Sequence, residues 1–155
     1  MSCEQLTKKK YIFIYECEED KIAKIKDDII ECEIKGFEII NNFQKEVMFL
    51  AIDNCLLDSK DEERCDFGFE VENDFFLVEL KTDVKPKNRK KRLNKAISQL
   101  KSCINLFKNK NIKECFVCFD KEVTVKSSWE NKKIDFFDEI GIELEISCKK
   151  DLDKC

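Results

Sequence analysis

The feature that most constrains the fold is a pair of neighbouring segments, residues 65–72 and 74–82, whose side chains alternate in character. In the second segment Glu79 and Lys81 fall on one face, while the other face is wholly apolar. A repeat of two residues is that of a β-strand, whose successive side chains point to opposite faces. The polar junction at 72–74 favours a tight connection. The sequence therefore predicts a hairpin of two antiparallel strands.

The register of this hairpin decides which side chains meet. A two-residue turn at 73–74 would place Asp66 opposite Lys81. The same register sets Gly68 opposite Glu79, where the missing side chain would leave room for an ion. Residues directly opposite each other point to the same face, so Asp66, Glu79 and Lys81 are expected to converge. A slip of one residue would send Asp66 to the far side.

Two carboxylates and an ammonium group at this spacing suit phosphodiester hydrolysis. Asp66 and Glu79 offer the oxygen ligands that Mg²⁺ or Mn²⁺ prefers. Lys81 would position or help deprotonate the attacking water and neutralise charge in the transition state. The chain has no His, which excludes His-based catalysis and His-containing zinc sites. The alternative interpretation is an exposed strand with an ordinary Glu–Lys pair.

Apolar periodicity predicts the other elements. Helical spacing predicts helices at 36–57, 88–108 and 134–140. Alternating or continuous apolar runs predict strands at 11–17, 29–34, 113–120 and 142–146, although the region around 29–34 also suits a helix. Glycine and proline are scarce (Gly 3, Pro 1), which argues against an all-β fold rich in tight turns. The prediction is an α/β fold with a mixed sheet flanked by helices.

The order helix, strand with Asp66, strand with Glu79 and Lys81, helix, strand resembles the PD-(D/E)xK, or restriction-endonuclease-like, nuclease superfamily. Cys65 stands where the motif often has proline. The resemblance implies a restriction-endonuclease-like core of the α-β-β-β-α-β type, Mg²⁺ or Mn²⁺ as cofactor, and endonuclease or exonuclease activity. It also implies nucleic acid as partner, DNA rather than RNA, and favours a homodimer, because a small core reaches only part of a duplex.

The resemblance also suggests how the chain is organised. Its 155 residues suit a single nuclease-like domain. Residues 1–35 would be an N-terminal β extension, 36–120 the catalytic core, and 121–155 a C-terminal helix and strand.

Two further residues acquire roles only through the resemblance. Family members often place a metal-binding glutamate on the helix before the hairpin, and Glu46 fits that position. A glutamate at a helix boundary facing water is the alternative. RecB-like members place a catalytic glutamine on the helix after the Glu-x-Lys strand, which Gln99 matches. Cys103 stands where those members have tyrosine.

A dense basic run follows Lys81. The net charge of −4 gives no general affinity for nucleic acid, so binding would depend on such a local patch. The run would lie beside the site and contact the phosphate backbone, although a solvated helix start is the alternative. Its members are Lys85, Lys87, Arg89, Lys90, Lys91, Arg92 and Lys95.

The cysteines and the apolar segments bear on the compartment. No stretch is apolar enough for a membrane span, since residues 37–57 are interrupted by polar side chains, and no export signal is apparent. We expect a cytoplasmic protein whose ten cysteines are reduced thiols, with disulfides open for a hyperthermophile source. Cys115 and Cys118 would point to opposite faces of a strand, which disfavours a shared metal.

Two non-catalytic functions stay open from the sequence. The chain would then be a nucleic-acid-binding module that kept the nuclease fold without its activity, or a protein-interaction module with an acidic surface. Metal binding at Asp66 and Glu79 separates these from the nuclease, because neither module needs it.

Overall fold

The computed structural model describes residues 2–26, 35–57, 63–82, 84–119 and 126–153. The strands in these ranges are β1 (Glu4–Thr7), β2 (Tyr11–Glu16), β3 (Ala23–Ile25), β4 (Phe37–Ile40), β5 (Val47–Ala51), β6 (Phe67–Val71), β7 (Asp74–Leu80), β8 (Asn111–Cys118), β9 (Glu143–Ile146) and β10 (Lys149–Asp151). The helices are α1 (Arg89–Leu106), preceded by a 3-10 turn at Pro86–Asn88, and α2 (Ser127–Ile140). The strand predicted at 29–34 lies outside the described residues.

The strands form two sheets. The larger has six strands in the order β1-β5-β6-β7-β8-β9, and the smaller has four in the order β10-β4-β2-β3. In the larger sheet β1, β5, β6 and β7 are antiparallel to their neighbours, whereas β7, β8 and β9 run parallel. Parallel neighbours need a crossover connection, which α1 and α2 provide. The predicted α/β class with a mixed sheet is confirmed.

Each face of the larger sheet is covered by a different layer. The smaller sheet packs on one face, where Phe37 lies 5.9 Å from Phe67 and 5.1 Å from Phe116 between ring centroids. The helices cover the other face, and Leu93 and Trp129 belong to the core on that side. The central strands are therefore buried on both faces, and polar side chains are expected only where the strands end.

The helix predicted at 88–108 is confirmed as α1. The stripe of α1 is buried through Leu93, Ala96, Leu100 and Cys103. α2 begins at Ser127, seven residues before the predicted start, and ends at Ile140. The next residue, Gly141, caps the helix in the left-handed conformation, with a φ of 81°. No helix in the described ranges is long and apolar enough to cross a membrane.

The helix predicted at 36–57 is wrong, because this region forms β4 and β5. Asn41 separates the two strands: its Nδ2 donates to the carbonyls of Lys9 and Lys45, and its Oδ1 accepts from the Lys45 N–H. These bonds satisfy the backbone of a turn in place of helical bonds. Phe43, which lies inside the predicted helix, is 73% exposed in that turn.

The hairpin forms, but its predicted register is wrong by two residues. The turn lies at Glu72 and Asn73, whose φ angles of 50° and 74° are positive, as in the primed turns that suit hairpins. Gly68 consequently pairs with Leu77 and not with Glu79. A shift of two residues leaves each side chain on its predicted face, because the side-chain period of a strand is two.

Gly68 therefore does not make room for an ion. A Cβ atom there would lie 2.7 Å from Cζ of Phe75 and 3.0 Å from the carbonyl oxygen of Phe76. The glycine instead lets the Phe75 ring pack across the neighbouring strand.

Four cysteines depart from the expected reduced state. Disulfides join Cys3 to Cys55 and Cys118 to Cys148. Cys115 lies in the helix-side core, whereas Cys118 lies in the core between the sheets. The expectation that the two cysteines of the CxxC sequence point to opposite faces is therefore confirmed.

Candidate active site

Three sequence-predicted residues meet at one end of the larger sheet. Asp66 directly precedes β6, Glu79 is the penultimate residue of β7, and Lys81 directly follows β7. Because β6 and β7 are antiparallel, the start of one lies beside the end of the other. We call this end of the sheet, defined by Asp66, Glu79 and Lys81, the carboxylate end.

The two carboxyl groups lie side by side. Glu79 shares a strand face with Phe75 and Leu77, which belong to the helix-side core. Oδ2 of Asp66 accepts a hydrogen bond of 2.6 Å from the Leu80 N–H, which fixes Asp66 against β7. Asp66 lies close enough to Glu79 for its negative charge to raise the pKa of Glu79. Their proximity creates a pair of oxygen donors of the kind that binds a hard divalent cation.

Glu79 is the more unusual member of the pair. It is 1% exposed, and its Oε2 has no hydrogen-bond partner among the described residues, although Lys81 Nζ lies 3.3 Å away as an ion-pair contact. Burial raises the pKa of Glu79 well above its usual range, and the negative charge of Asp66 adds to the effect while Lys81 opposes it. A buried carboxylate oxygen without a hydrogen bond is costly unless a cation compensates it.

Two further acidic residues were missed by the sequence analysis. Asp53 follows β5, and the N–H groups of Ile52 and Asp53 donate to the Asp66 carbonyl at 3.0 and 3.3 Å. Burial raises the pKa of Asp53, while Arg64, 3.2 Å away, opposes the increase. Glu16 ends β2 in the smaller sheet, and burial followed by the charge of Asp66 raises its pKa. The carboxylate end therefore gathers acidic groups from both sheets.

The signal for Asp53 was present in the sequence. An acidic residue follows the apolar run 47–52, just as Glu79 and Asp66 flank apolar strand segments. The signal was lost because the run was assigned to a helix. Glu16 had no comparable signal, since only the packing of the smaller sheet brings it near Asp66.

The structure does not place Glu46 at the carboxylate end, so the position predicted for this glutamate is wrong. Glu46 precedes β5 at the opposite end of the sheet, where Met48 pairs with Glu70. It is exposed and lies 3.6 Å from Lys8. The error follows from the helix predicted at 36–57. The family places its glutamate on a helix at this point, whereas here the segment forms β4 and β5.

Gln99 lies against the segment that leads into the site. Its Nε2 donates to the Arg64 carbonyl at 3.1 Å, and its Oε1 is buried without a partner among the described residues. One turn later, Cys103 Sγ accepts from the Cys65 N–H at 2.9 Å and contacts the Cys65 Sγ at 2.7 Å. α1 thus holds the backbone directly before Asp66, which fits Gln99 as a positioning residue.

Part of the basic run borders the site. Lys85, Lys87 and Arg92, together with Lys81, line an open cavity of about 430 Å³. We call this the cationic cavity. Lys95 turns away from it and lies 3.6 Å from Glu63. The remaining basic residues occupy the first turn of α1 outside the cavity lining: Arg89, Lys90 and Lys91.

A second acidic cluster lies elsewhere in the larger sheet. Carboxylate oxygens of Glu114, Glu143 and Glu145 come within 4.8 Å of one another. Lys150 pairs with Glu114, and Lys133 pairs with Glu145. Lysines thus pair with two of the three glutamates, and none of the three is buried, so the cluster offers a weaker cation site than the buried Asp66 and Glu79.

Comparison with known proteins adds no assignment. No protein-family model, curated protein or solved structure matches the chain. The resemblance to PD-(D/E)xK nucleases therefore stays a hypothesis that depends on the residues of the carboxylate end.

Proposed function

We propose that this protein is a metal-dependent nuclease that hydrolyses phosphodiester bonds, in DNA rather than RNA. In this proposal Asp66 and Glu79 bind Mg²⁺ or Mn²⁺, and Lys81 acts on the water and the phosphate. The neighbours of these three residues support the proposal.

The observation that carries the proposal is the buried Oε2 of Glu79 beside Asp66, which has an ion-pair contact with Lys81 but no hydrogen bond among the described residues. Two carboxylates brought together out of water repel each other, and one lysine offsets only part of that repulsion. Asp66 and Glu79 are the only buried acidic residues in the described part of the chain. A divalent cation with oxygen preference would coordinate both carboxylates and offset their repulsion, so the donor set fits Mg²⁺ or Mn²⁺.

The order of elements supports the same proposal. β5, β6 and β7 form an antiparallel meander, and α1 then crosses over to the parallel strand β8. This order resembles the β-β-β-α-β part of the restriction-endonuclease-like core. The helix that begins that core is replaced here by strands of the smaller sheet, which supplies Glu16 to the same end.

Each residue has a distinct task. A bound cation would polarise the phosphoryl oxygen and lower the pKa of a water molecule. Lys81, whose side chain is 14% exposed, is held next to Glu79 at 3.3 Å and can orient that water and stabilise developing negative charge. Gln99 and Cys103 hold the chain before Asp66, and so keep one ligand in place.

The second candidate is a nucleic-acid-binding module without catalysis, which the cationic cavity favours. Its cations would bind a phosphate backbone whether or not cleavage follows. Metal binding separates the two candidates, because the module gains nothing from a cation at Asp66. We also expect a homodimer, which size-exclusion chromatography with light scattering would detect.

A cleavage panel tests the proposal directly. Labelled single-stranded, duplex, flap, four-way-junction and RNA substrates are incubated with the protein in Mg²⁺, Mn²⁺ or EDTA. We expect cleavage of at least one DNA substrate that requires the metal. Calorimetric titration of Mn²⁺ runs in parallel. A protein that neither cleaves nor binds Mn²⁺ would contradict the nuclease, and salt-dependent DNA binding without Mn²⁺ binding would favour the module.

A further inference from the structure

The cationic cavity has a composition that the cleavage chemistry does not require. Lys85, Lys87 and Arg92 bring three positive charges to it beyond that of Lys81, and Asn88 adds an amide. None of the described lining residues is acidic, and Asp83 lies outside the described residues. Its volume of about 430 Å³ falls within the usual range of small-ligand sites.

Three cations of the cavity have no ion-pair partner among the described residues, unlike other lysines of the molecule. Within the described ranges Lys85, Lys87 and Arg92 form no ion pair, whereas Lys95 pairs with Glu63 and Lys101 with Glu139. Clustered positive charges repel one another unless an anion lies between them. The absence of such an anion in the described protein groups indicates that an external one completes the cavity.

The start of α1 adds a second favourable contribution. Asn88 provides no side-chain cap, and the first turn contains no acidic residue. The Arg89 N–H donates to the Pro86 carbonyl of the preceding 3-10 turn. The positive end of the helix dipole faces the cavity region. Basic residues at this end are unfavourable for the helix alone, but they are favourable beside a bound phosphate.

We propose that the cationic cavity is a subsite for a second phosphate, the one that flanks the scissile phosphodiester along the strand. This inference rests on the proposed nuclease function and names its substrate more closely. Lys81 belongs to both places, since its Nζ contacts Glu79 and its residue lines the cavity. Arg92 can bind a phosphate through two parallel hydrogen bonds, and Lys85 and Lys87 add charge.

The subsite makes the preferred substrate a polynucleotide segment with at least two consecutive phosphates. An isolated phosphodiester would fill only the carboxylate end. Because hydrogen bonds between charged groups are about twice as strong as neutral ones, removal of the flanking phosphate should lower kcat/KM by roughly tenfold or more.

Small chromogenic substrates test this. One pair is thymidine 5′-(p-nitrophenyl phosphate) with either a 3′-phosphate or a 3′-hydroxyl. The mirror pair is thymidine 3′-(p-nitrophenyl phosphate) with either a 5′-phosphate or a 5′-hydroxyl. We expect a preference of roughly tenfold for the extra phosphate in one pair, which also reveals the direction in which the strand lies.

Variants assign the preference to the cavity. Lys87→Gln/Arg92→Gln should reduce the ratio of kcat/KM with and without the extra phosphate toward one. Lys101→Gln, on the same helix but outside the cavity, should keep the wild-type ratio. Cleavage of both pairs with no preference would overturn the subsite and leave the nuclease intact.

If no chromogenic substrate is cleaved, the DNA cleavage panel decides the nuclease proposal, and a binding measurement decides the subsite. Inorganic phosphate and pyrophosphate are titrated calorimetrically into the metal-free protein in EDTA. Binding that is abolished in Lys87→Gln/Arg92→Gln and retained in Lys101→Gln supports the subsite. Absence of binding, or equal binding by all three proteins, overturns it.

Discussion

Charged side chains have opposite environments at the two ends of the larger sheet. At the turn end, defined by the Glu72-Asn73 turn, charged residues are solvated and paired, as in Lys45 with Glu72 at 3.6 Å and Lys113 with Asp74 at 3.4 Å. At the carboxylate end Asp66 and Glu79 are buried, and one oxygen has no hydrogen-bond partner among the described residues.

The difference shows which charges carry information about function. An exposed ion pair contributes little to stability and needs no special explanation. A buried pair of carboxylates costs stability and persists only where something else repays the cost. The carboxylate end is thus the place where this fold departs from the rules that stabilise it, which is expected of a functional site.

The largest expected effect is the disappearance of cleavage when the carboxylate end is neutralised. Asp66→Asn or Glu79→Gln should reduce cleavage by about a thousandfold or more and weaken Mn²⁺ binding, because a neutral amide is a poorer ligand for a hard cation. Glu46→Gln, which removes a glutamate from the other end, is the matched control and should cleave at the wild-type rate. Equal cleavage by all three variants would show that the carboxylate end is no more important for activity than the turn end.

Lys81→Ala should separate catalysis from metal binding. Cleavage should fall by about a hundredfold or more, because the cation that positions water and stabilises charge is absent. Mn²⁺ affinity should persist or rise, since a positive charge next to Glu79 has been removed. The measurement is a calorimetric Mn²⁺ titration beside the cleavage assay. A variant that cleaves like the wild type would show that the Glu-x-Lys interpretation is wrong.

Glu79→Gln should also stabilise the metal-free protein at neutral pH, by about 1–3 kcal/mol. The folded-state pKa of Glu79 is raised, so its contribution to stability is full below the unfolded pKa of about 4.3 and is lost as pH rises through the folded pKa. The variant has no such loss. Its advantage in thermal unfolding should be absent near pH 4 and grow as pH rises.

The same experiment at the turn end provides the control. Glu72→Gln changes an exposed residue and should alter stability by less than about 0.5 kcal/mol at any of these pH values. Excess Mn²⁺ should raise the Tm of the wild type, because a ligand that binds only the folded state stabilises it. A wild type that is as stable as Glu79→Gln at pH 8 in EDTA would contradict the cost assigned to this carboxylate.

The smallest effect concerns affinity alone. Neutralising Lys87, Arg89, Lys90 and Lys91 together should weaken DNA binding for all sequences and flatten its salt dependence, by a slope of about 0.9 for each DNA phosphate that the protein no longer neutralises. Thermal stability should hardly change, because most of these side chains are exposed. Binding that is unchanged at low salt would indicate that the run is only a solvated surface.

Much of the carboxylate end could be predicted from the sequence because strand faces depend on parity alone. The alternation around Glu79 and Lys81 predicts that they share a face. The two-residue error in register changes which residue lies opposite Asp66, but it leaves the Asp66 side chain on the predicted face. The prediction of α1 was equally reliable, because its helical spacing of apolar residues matches the side chains that are buried over 18 residues.

The region before the hairpin failed for a physical reason. Apolar residues in 36–57 satisfy both periods over short stretches, and spacing alone cannot separate two short strands from one helix. The side chain of Asn41 stabilises the turn between the two strands through three hydrogen bonds. The apolar pattern of the sequence does not reveal these bonds. Asp53 was missed because of that assignment, and Glu16 depended on the docking of a second sheet.

The Cys118–Cys148 disulfide gives the carboxylate end a mechanical connection to the rest of the molecule. The Lys81 N–H donates to the Cys118 carbonyl at 2.7 Å, so Cys118 sets the position of the lysine backbone. Cys148 in turn accepts a hydrogen bond from the Glu38 N–H in β4. The disulfide therefore links Cys148, which is hydrogen-bonded to the smaller sheet, to Cys118, which holds the Lys81 backbone. A displacement of the smaller sheet would thus be transmitted to Lys81.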